Sequence, residues 1–409
     1  MDFGDRRRTA RVLGLPASMN DTQSIADWLI DGARSASSAE AFLAEFCERL
    51  RNCGFPIWRV GVFILTLHPQ VMGQRFLWRP DQPVEVTYGS YETFETEEFR
   101  RSPVRYAIDN RILLRRKLED DNCPVDIALL GELKAQGITD YLVMPLFFAD
   151  GTIHAASLST RESGGFADSQ IAALTQLSAP LARVAEAQAL QRKASVLLET
   201  YVGPHAAARV LAGQIRRGDA TSINAAIWLS DMRGFTQLAD LVPPQTLVGA
   251  LNRYFDCQVP AILKHGGEVL KYMGDGLLAI FEISKHGNNE HAVCDAALNA
   301  AREARSAVAA AAALPDGNFD LKFGLALHLG EVLYGNIGSE NRLDFTCIGP
   351  AVNLAARIEK LTGELGRTVL ASGAFADHCE GEFAPVGTFV LRGFGTARTI
   401  FSLKDEARA

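Results

Sequence analysis

Apolar positions in the first part of the chain recur with a helical period and then merge into one continuous run. Between 22 and 52, large apolar residues are spaced three or four positions apart, which predicts two amphipathic helices. The apolar run over 60–67 predicts a buried strand. A less regular region follows, rich in aromatic residues and interrupted by prolines. The first 60 or so residues therefore predict the order helix, helix, strand.

A second pair of apolar runs lies further along the same half of the chain. Residues 141–148 and 153–160 flank the dipeptide Asp150-Gly151, a strong turn signal between two such runs. The pattern predicts a β-hairpin. An apolar helical pattern follows over 169–190, with Asp168 as a plausible N-cap.

This layout of helices, strands, a hairpin and a closing helix resembles a GAF-type sensory domain over residues 22–190. The phrase Gly164-Gly165-Phe166-Ala167-Asp168, followed by an apolar helix, is similar to that family's ending. The alternative is a generic α+β dimerisation domain. The sequence carries no ligand signature here, so the expected regulator, a small molecule or a protein, is unidentified.

Domain boundaries follow from changes in pattern. Residues 1–21 read as a polar tail, 22–190 as the GAF-like regulatory domain, 191–223 as a helical linker, and 224–404 as a second domain. Apolar residues spaced by threes and fours continue from 174 to 201, where Gly203-Pro204 interrupts them. This segment predicts either a short parallel coiled coil or the amphipathic end of the first domain.

Composition narrows the class of protein. The 409 residues carry 41 basic and 48 acidic side chains, a net charge of −7, which argues against a general nucleic-acid binder. The seven cysteines are scattered and none form a CxxC pair, so a reducing, cytoplasmic location fits best. The apolar runs are far shorter than the ~20 residues of a membrane span, and the sequence predicts none.

Residues that could bind a cation or a phosphate group are concentrated in the second half of the chain. An apolar strand over 225–230 runs directly into Asp231, and Gly234 and Thr236 follow at the start of a helix. Carboxylate oxygens suit Mg²⁺, and N–H groups at a helix start point at anions. The pattern therefore suggests a cation-plus-phosphate site. The alternative is that Asp231 simply caps a helix.

Two further segments each have an ordinary structural explanation as well. Residues 267–281 read as strand, tight turn and strand, with Asp275 between two glycines, and a type I′ turn alone would account for them. Asn353 and Arg357 are spaced i and i+4, so on a helix they share one face. A solvated helix face would show the same spacing.

Taken together in chain order, these segments resemble the catalytic domain of class III adenylyl cyclases over about residues 220–404. The resemblance rests on Ser230-Asp231-Met-Arg-Gly-Phe-Thr236, Lys271-Tyr-Met-Gly-Asp275 and Ile348-Gly349…Val352-Asn353…Arg357, with Gly330-Glu331-Val332 and Gly335-Asn336-Ile337-Gly338 as a fourth signature. It implies an α+β chain whose C-terminal domain has a ferredoxin-like βαββαβ core and dimerises head to tail.

The resemblance also implies roles for individual residues. Asp231 and Asp275 would bind two ions of Mg²⁺ or Mn²⁺ with help from the Met232 carbonyl. Gly234, Phe235 and Thr236 would offer N–H groups to the substrate phosphates. Asn353 would orient the ribose, Arg357 would stabilise charge on the phosphate under attack, and Arg392 would bind phosphate. Lys271 and Thr346 would recognise the base.

Hydrogen bonding distinguishes the two purines. A Lys ammonium only donates and suits adenine N1, whereas a hydroxyl accepts from the N6 amino group. Lys271 and Thr346 therefore predict ATP as the substrate of a homodimeric adenylyl cyclase. Thr346 stands where many members carry Asp, which weakens discrimination. Two alternatives remain open: a guanylyl cyclase, and an inactive cyclase-like signalling module.

Overall fold

The computed structural model describes residues 19–66, 68–120, 122–124, 127–312 and 321–406. The chain divides into two compact units between Leu197 and Leu198. The predicted tail 1–21 lies outside the described residues except for its last three, which begin the first helix. Within the described ranges, none of the helices combines the length and apolar character that a membrane span requires.

The first unit contains an antiparallel sheet of six strands in the order β3-β2-β1-β6-β5-β4. Its strands are β1 (Arg59–Leu65), β2 (Gly73–Trp78), β3 (Glu85–Gly89), β4 (Leu114–Lys117), β5 (Asp140–Phe147) and β6 (Ile153–Thr160). Its helices are α1 (Met19–Ile30), α2 (Ala39–Asn52), α3 (Tyr91–Glu95), α4 (Glu97–Arg100), α5 (Pro103–Asn110), α6 (Ala128–Ala135) and α7 (Asp168–Val202).

Both faces of this sheet are covered. Val60 and Val62 of β1 face a core that includes residues of α1, α2 and α7, whereas Tyr141 and Val143 of β5 face a second core with residues of α5 and α6. Strands buried on both faces read as continuous apolar runs, and the two predicted helices, the buried strand and the hairpin are confirmed. The GAF-like identity of the unit stays a prediction.

The second unit contains eight strands. They are β7 (Ala220–Met232), β8 (Glu268–Met273), β9 (Gly276–Glu282), β10 (Phe323–Gly338), β11 (Leu343–Ile348), β12 (Val369–Ser372), β13 (Phe383–Phe389) and β14 (Arg398–Leu403). The helices are α8 (Pro204–Leu211), α9 (Phe235–Leu241), α10 (Pro244–Asp256), α11 (Val259–Lys264), α12 (Glu290–Ala312), α13 (Pro350–Glu364) and α14 (Gly373–Ala376), with a 3₁₀ turn at Ile283–His286.

Strand order gives the topology of this unit. The sheet runs β13-β14-β12-β10-β7-β9-β8, and β11 pairs with β10. The chain passes β7, α9–α11, β8, β9, α12 and β10, and the four strands lie in the order β10-β7-β9-β8. This is the arrangement of the βαββαβ unit that the resemblance implies. Strand β9 lies between β7 and β8, so the C-terminal ends of β7 and β8 both lie beside the start of β9.

The predicted linker 191–223 differs from the structure at its C-terminal end. Helix α7 continues to Val202, α8 starts after Gly203 (φ 84°), and β7 already begins at Ala220. The first residues of β7 are polar and mostly exposed, and Ser222 hydrogen-bonds Glu331 across the β7–β10 pair. Because this end of the strand lacks an apolar pattern, the sequence predicted a linker there.

Candidate active site at the end of strands β7 and β8

The end of β7 presents one carboxylate beside a fully packed core. Side chains alternate along a strand, so Ser230 and Met232 are buried while Asp231 between them faces the other side and is half-buried. The Ser230 hydroxyl donates to Gln258 Oε1 at 2.7 Å, and Trp228 Nε1 donates to Ser230 Oγ at 3.3 Å. This buried network fixes the strand that carries Asp231.

Asp275 lies in the tight turn between β8 and β9, next to Asp231. Gly276 pairs with Asp231 in the β7–β9 register, and a Cβ at Gly276 would lie 3.3 Å from Asp231 Oδ1. Of the two turn residues, Gly274 has a positive φ (69°) and Asp275 does not. A type I′ turn needs both, so that interpretation of the segment is wrong. The turn brings the second carboxylate to the first.

The pKa of the Asp231 carboxyl reflects both its burial and its neighbour. Burial, then the negative charge of Asp275 and a hydrogen bond between the two side chains, together raise the pKa of Asp231 to about 6. Adjacent carboxylates resist ionising together. Oxygen donors of this kind fit Mg²⁺ or Mn²⁺, and within the described ranges no cluster of three or more His, Cys, Asp or Glu ligands occurs. The pair therefore fits ions whose other ligands come from the backbone and the substrate.

The segment after β7 turns sharply into a short helix. Gly234 adopts a left-handed conformation (φ 74°) at the N-cap of α9, and Phe235 and Thr236 form its first turn. The N–H groups of a first turn have no partner inside the helix. They lie within a few residues of Asp231, as a phosphate-binding role requires.

Two charged residues near the aspartates were not predicted from the sequence. Gly324 of β10 pairs with Asp231, and a Cβ there would lie 3.0 Å from Glu359 Oε1. Burial, and next the charge of Asp231, raise the pKa of Glu359 to about 7. Arg233 donates to the carbonyl oxygens of Thr362 (2.8 Å) and Arg367, tying the loop after β7 to the end of α13.

The predicted base-reading residues lie on β8 and β11. Thr346 is buried, and its hydroxyl has no hydrogen-bond partner among the described residues. It therefore forms no hydrogen bond with Lys271, which is half-buried. Its neighbour Cys347 lies near enough to Lys271 for that charge to lower the thiol pKa, although burial, the larger effect, raises it to about 12. The hydrogen-bonding capacity of the Thr346 hydroxyl is therefore unused among the described residues.

Asn353 and Arg357 lie one turn apart on α13, exposed and half-buried respectively. Lys360, further along the helix, lowers the pKa of Asp231. Asn353 precedes Lys360 by seven residues, roughly 10 Å along the helix axis. Arg392 is exposed in the loop between β13 and β14. The structure thus brings Asp231 and Asp275 together, and Asn353 lies about two turns of α13 away from Lys360, which is near Asp231.

Comparison with known proteins agrees with this geometry. Residues 220–401 match the model of the adenylate and guanylate cyclase catalytic domain family. The chain is 31% identical over 185 residues to "Adenylate cyclase 1" of Rhizobium meliloti, covering 44% of this chain and 27% of that protein. It is 34% identical over 161 residues to "Adenylate cyclase" of Anabaena cylindrica, covering 38% of this chain and 31% of that protein.

Among solved structures, a bacterial light-regulated adenylyl cyclase is 27% identical, with a TM-score of 0.40, and the match covers 46% of this chain and 92% of that one. The chain carries a class III nucleotide cyclase catalytic domain over residues 220–401, as the sequence motifs predicted. It spans less than a third of the length of the two curated relatives.

Proposed function

We propose that this chain is an adenylyl cyclase that converts ATP to 3′,5′-cyclic AMP and pyrophosphate. The observation that carries the proposal is the pair of adjacent carboxylates, Asp231 and Asp275, within a domain that matches the nucleotide cyclase family. Lys271 at the base-reading position and the names of the two relatives favour ATP over GTP.

The carboxylates would hold two divalent ions, with the Met232 carbonyl as a further ligand. When bound, such ions lower the pKa of the ribose 3′-hydroxyl and neutralise charge on the departing pyrophosphate. The N–H groups of Gly234, Phe235 and Thr236 hold the β- and γ-phosphates. Thr236 and Gly234 are exposed, which leaves room for those phosphates.

Side chains on α13 and in the C-terminal loop complete the substrate site. Asn353 orients the ribose so that its 3′-oxygen faces the α-phosphate. Arg357 stabilises the charge that develops on that phosphate, the role in which a placed cation accelerates phosphoryl transfer. Arg392 binds phosphate.

Base recognition follows from the polar groups on β8 and β11. The Lys271 ammonium donates to adenine N1, and the Thr346 hydroxyl accepts from the N6 amino group. The buried Thr346 hydroxyl without a partner supports this role, because leaving such a group unsatisfied is unfavourable until a ligand binds.

The site needs two copies of the chain. Asn353 lies about two turns of α13 away from Lys360, the residue of that helix whose charge acts on Asp231. Within one chain, the metal-binding aspartates and Asn353 therefore lie at different places. In a homodimer arranged head to tail, each site joins the aspartates of one protomer to Asn353, Arg357, Lys271 and Thr346 of its partner. Two equivalent sites result.

The first unit regulates this activity in the proposal. It occupies about half the chain and contains none of the catalytic motifs. Its helix α7 leads directly to the residues of the second unit, without a long flexible linker.

Turnover measured with ATP and with GTP, in Mg²⁺ and in Mn²⁺, tests the function. The wild-type chain should form cyclic AMP with either metal and prefer ATP. Asp231→Ala and Asp275→Ala should each abolish turnover while thermal melting shows a folded protein, because each removes a metal ligand and not core packing. No product from either nucleotide, or near-normal activity of either variant, would refute the assignment.

A base-exchange variant tests the nucleotide preference separately. Lys271→Glu combined with Thr346→Cys should lower the ATP-to-GTP ratio of kcat/KM by on the order of a hundredfold, since a donor is lost and a charge is left unpaired. Thr388→Val, which removes a remote exposed hydroxyl on β13, is the control and should leave the ratio unchanged. An unchanged ratio in the double variant would show that these residues do not read the base.

A further inference from the structure

The first unit contains a cavity of about 800 Å³ that the cyclase chemistry does not use. Strands β1, β2, β3 and β5 form one wall and helices α3–α6 form the other. Its volume lies in the range of small-molecule sites. All of its lining residues belong to the first unit, so the cavity is complete within that unit.

Missing side chains on two neighbouring strands let an aromatic ring lie directly against the sheet at the cavity. Gly73 of β2 pairs with Gly89 of β3, and a Cβ would lie 2.6 Å from the Phe94 ring at the first position and 2.8 Å from it at the second. The ring therefore lies over bare backbone. Phe63 and Val104 add further apolar surface, so most of the wall is apolar and partly aromatic.

The polar groups on the sheet side of the cavity are of one chemical type. Arg59, Arg75 and Tyr141 project from β1, β2 and β5 on the same face of the sheet, and all three can donate hydrogen bonds. Tyr141 is 1% exposed, and its hydroxyl has no partner of good geometry among the described residues, although Ser157 lies close by. Buried polar groups are ordinarily paired, so this hydroxyl lacks an acceptor.

The two guanidinium groups differ in their pairing. Arg75 contacts Glu85 at 3.1 Å, although its buried Nε has no partner within the described ranges. Arg59 forms no side-chain hydrogen bond or ion pair with the described residues, and burial lowers its pKa. The half-buried Arg59 guanidinium at the cavity can therefore pair with an anionic ligand.

The acidic residues that line the cavity lie on its helix side and not on the sheet side. Glu97 and Glu98 on α4 are exposed, and Glu97 already pairs with Arg101 at 3.2 Å. Among the described residues, Arg59 therefore has no carboxylate at ion-pair distance, although the charge of Glu85 acts on it, and it lies beside the Tyr141 hydroxyl and an apolar wall.

We propose that this cavity binds a small aromatic carboxylate, with the carboxylate paired to Arg59 and accepting from the Tyr141 hydroxyl, and the ring packed between Phe63 and Phe94. A single negative charge matches the single unpaired guanidinium. The aromatic body matches the wall, since stacked and edge-on rings add to the energy of burial. The site is independent of the catalytic assignment in the second unit.

Isothermal titration calorimetry of the full chain with 2-naphthoate tests the proposal, with 2-naphthamide as the uncharged probe of the same shape. We expect saturable binding of the acid and at least about tenfold weaker binding of the amide, because a hydrogen bond to a charged group is the stronger one. Arg59→Gln should weaken 2-naphthoate binding by about tenfold or more. Arg59→Lys should retain most of it, and Arg34→Gln, at an exposed position outside the cavity lining, should not change it.

Two further variants keep the test decisive if Arg59→Gln fails to fold. Tyr141→Phe should weaken the acid several-fold without affecting the amide, and Ile108→Trp should block both by filling the cavity from α5. Each variant is checked by thermal melting. Equal affinity for acid and amide, unchanged binding in a folded Arg59→Gln or Tyr141→Phe protein, or no saturable binding of the acid up to about 1 mM would overturn the proposal.

Discussion

Asp231 destabilises the metal-free fold, and its place at the site explains why. Burial, followed by the charge of Asp275, raises its pKa from the ordinary value near 4 to about 6. Between about pH 4 and pH 6 the folded state therefore binds more protons than the unfolded state. Stability falls as pH rises through this window, and above it the unfavourable contribution stays constant.

Asp231→Asn should consequently stabilise the protein in the presence of a chelator at pH 7.5. We expect on the order of 1 kcal/mol, a shift of roughly 2–4 °C in Tm, after allowance for solvent screening of a half-buried group. The difference should vanish below about pH 4, and saturating Mg²⁺ should reduce or reverse it. Asp240→Asn, exposed on α9, is the control for thermal melting. A less stable Asp231→Asn protein at pH 7.5 would contradict this account of the charge pair.

At this scale the sequence predicts the residues that lie within motifs and misses those brought in by packing. Asp231 ends an apolar strand and Asp275 occupies a tight turn, so both are visible as local patterns, and the structure brings them together. Glu359 comes near them because Gly324 has no side chain to keep it away. The position of Glu359 near the aspartates depends on the pairing of strands that are distant in sequence. The spacing of residues around Glu359 therefore does not predict it.

At the scale of elements, an apolar run is the dependable signal. The hairpin over 140–160 is predictable because its first strand is buried on two faces and is apolar after Asp140, and Asp150-Gly151 marks the turn. The start of β7 is not predictable, because its first residues are polar and gain strand structure only by pairing with the far half of β10. Local sequence pattern therefore does not predict elements that form only by pairing with a distant segment.

A buried ion pair joins three elements of the first unit. Asp140, at the start of β5, is fully buried and accepts from Arg115 of β4 at 2.7 Å and from the N–H of Phe166, just before α7, at 3.0 Å. Arg115→Met should destabilise this unit by about 3–5 kcal/mol, because it leaves a buried carboxylate without its counter-ion. Urea unfolding followed by tryptophan fluorescence measures the change.

Arg105→Met is the matched control for this experiment. It breaks a pair with Asp109 in which both side chains are well exposed, so a loss of about 1 kcal/mol or less is expected. Equal losses in the two variants would show that burial of Asp140 does not set the strength of its pair.

For the whole molecule, division of the site between two protomers makes a prediction that single variants cannot test. Asp231→Ala removes the metal half and Arg357→Ala the other half, so each homodimer should be inactive. In a mixed dimer one of the two sites escapes both changes, so mixing the variants should restore up to about a quarter of wild-type activity with random pairing. The assay is cyclic AMP formation, with heterodimers verified by two affinity tags. An inactive mixture that contains heterodimers would indicate sites contained within single chains.

The proposed regulation by the first unit would act through α7. The helix runs unbroken from Asp168 to Val202, and the division between the two units falls inside it. A catalytic site formed by two protomers is sensitive to their rotation, so a helix pair entering the dimer can favour an active or an inactive geometry. Replacing residues 1–190 with an unrelated dimeric coiled coil, joined in several helical registers, should give activity that varies with register. Activity equal to the full chain in every register would leave the first unit as a tether that only raises the local concentration of cyclase domains.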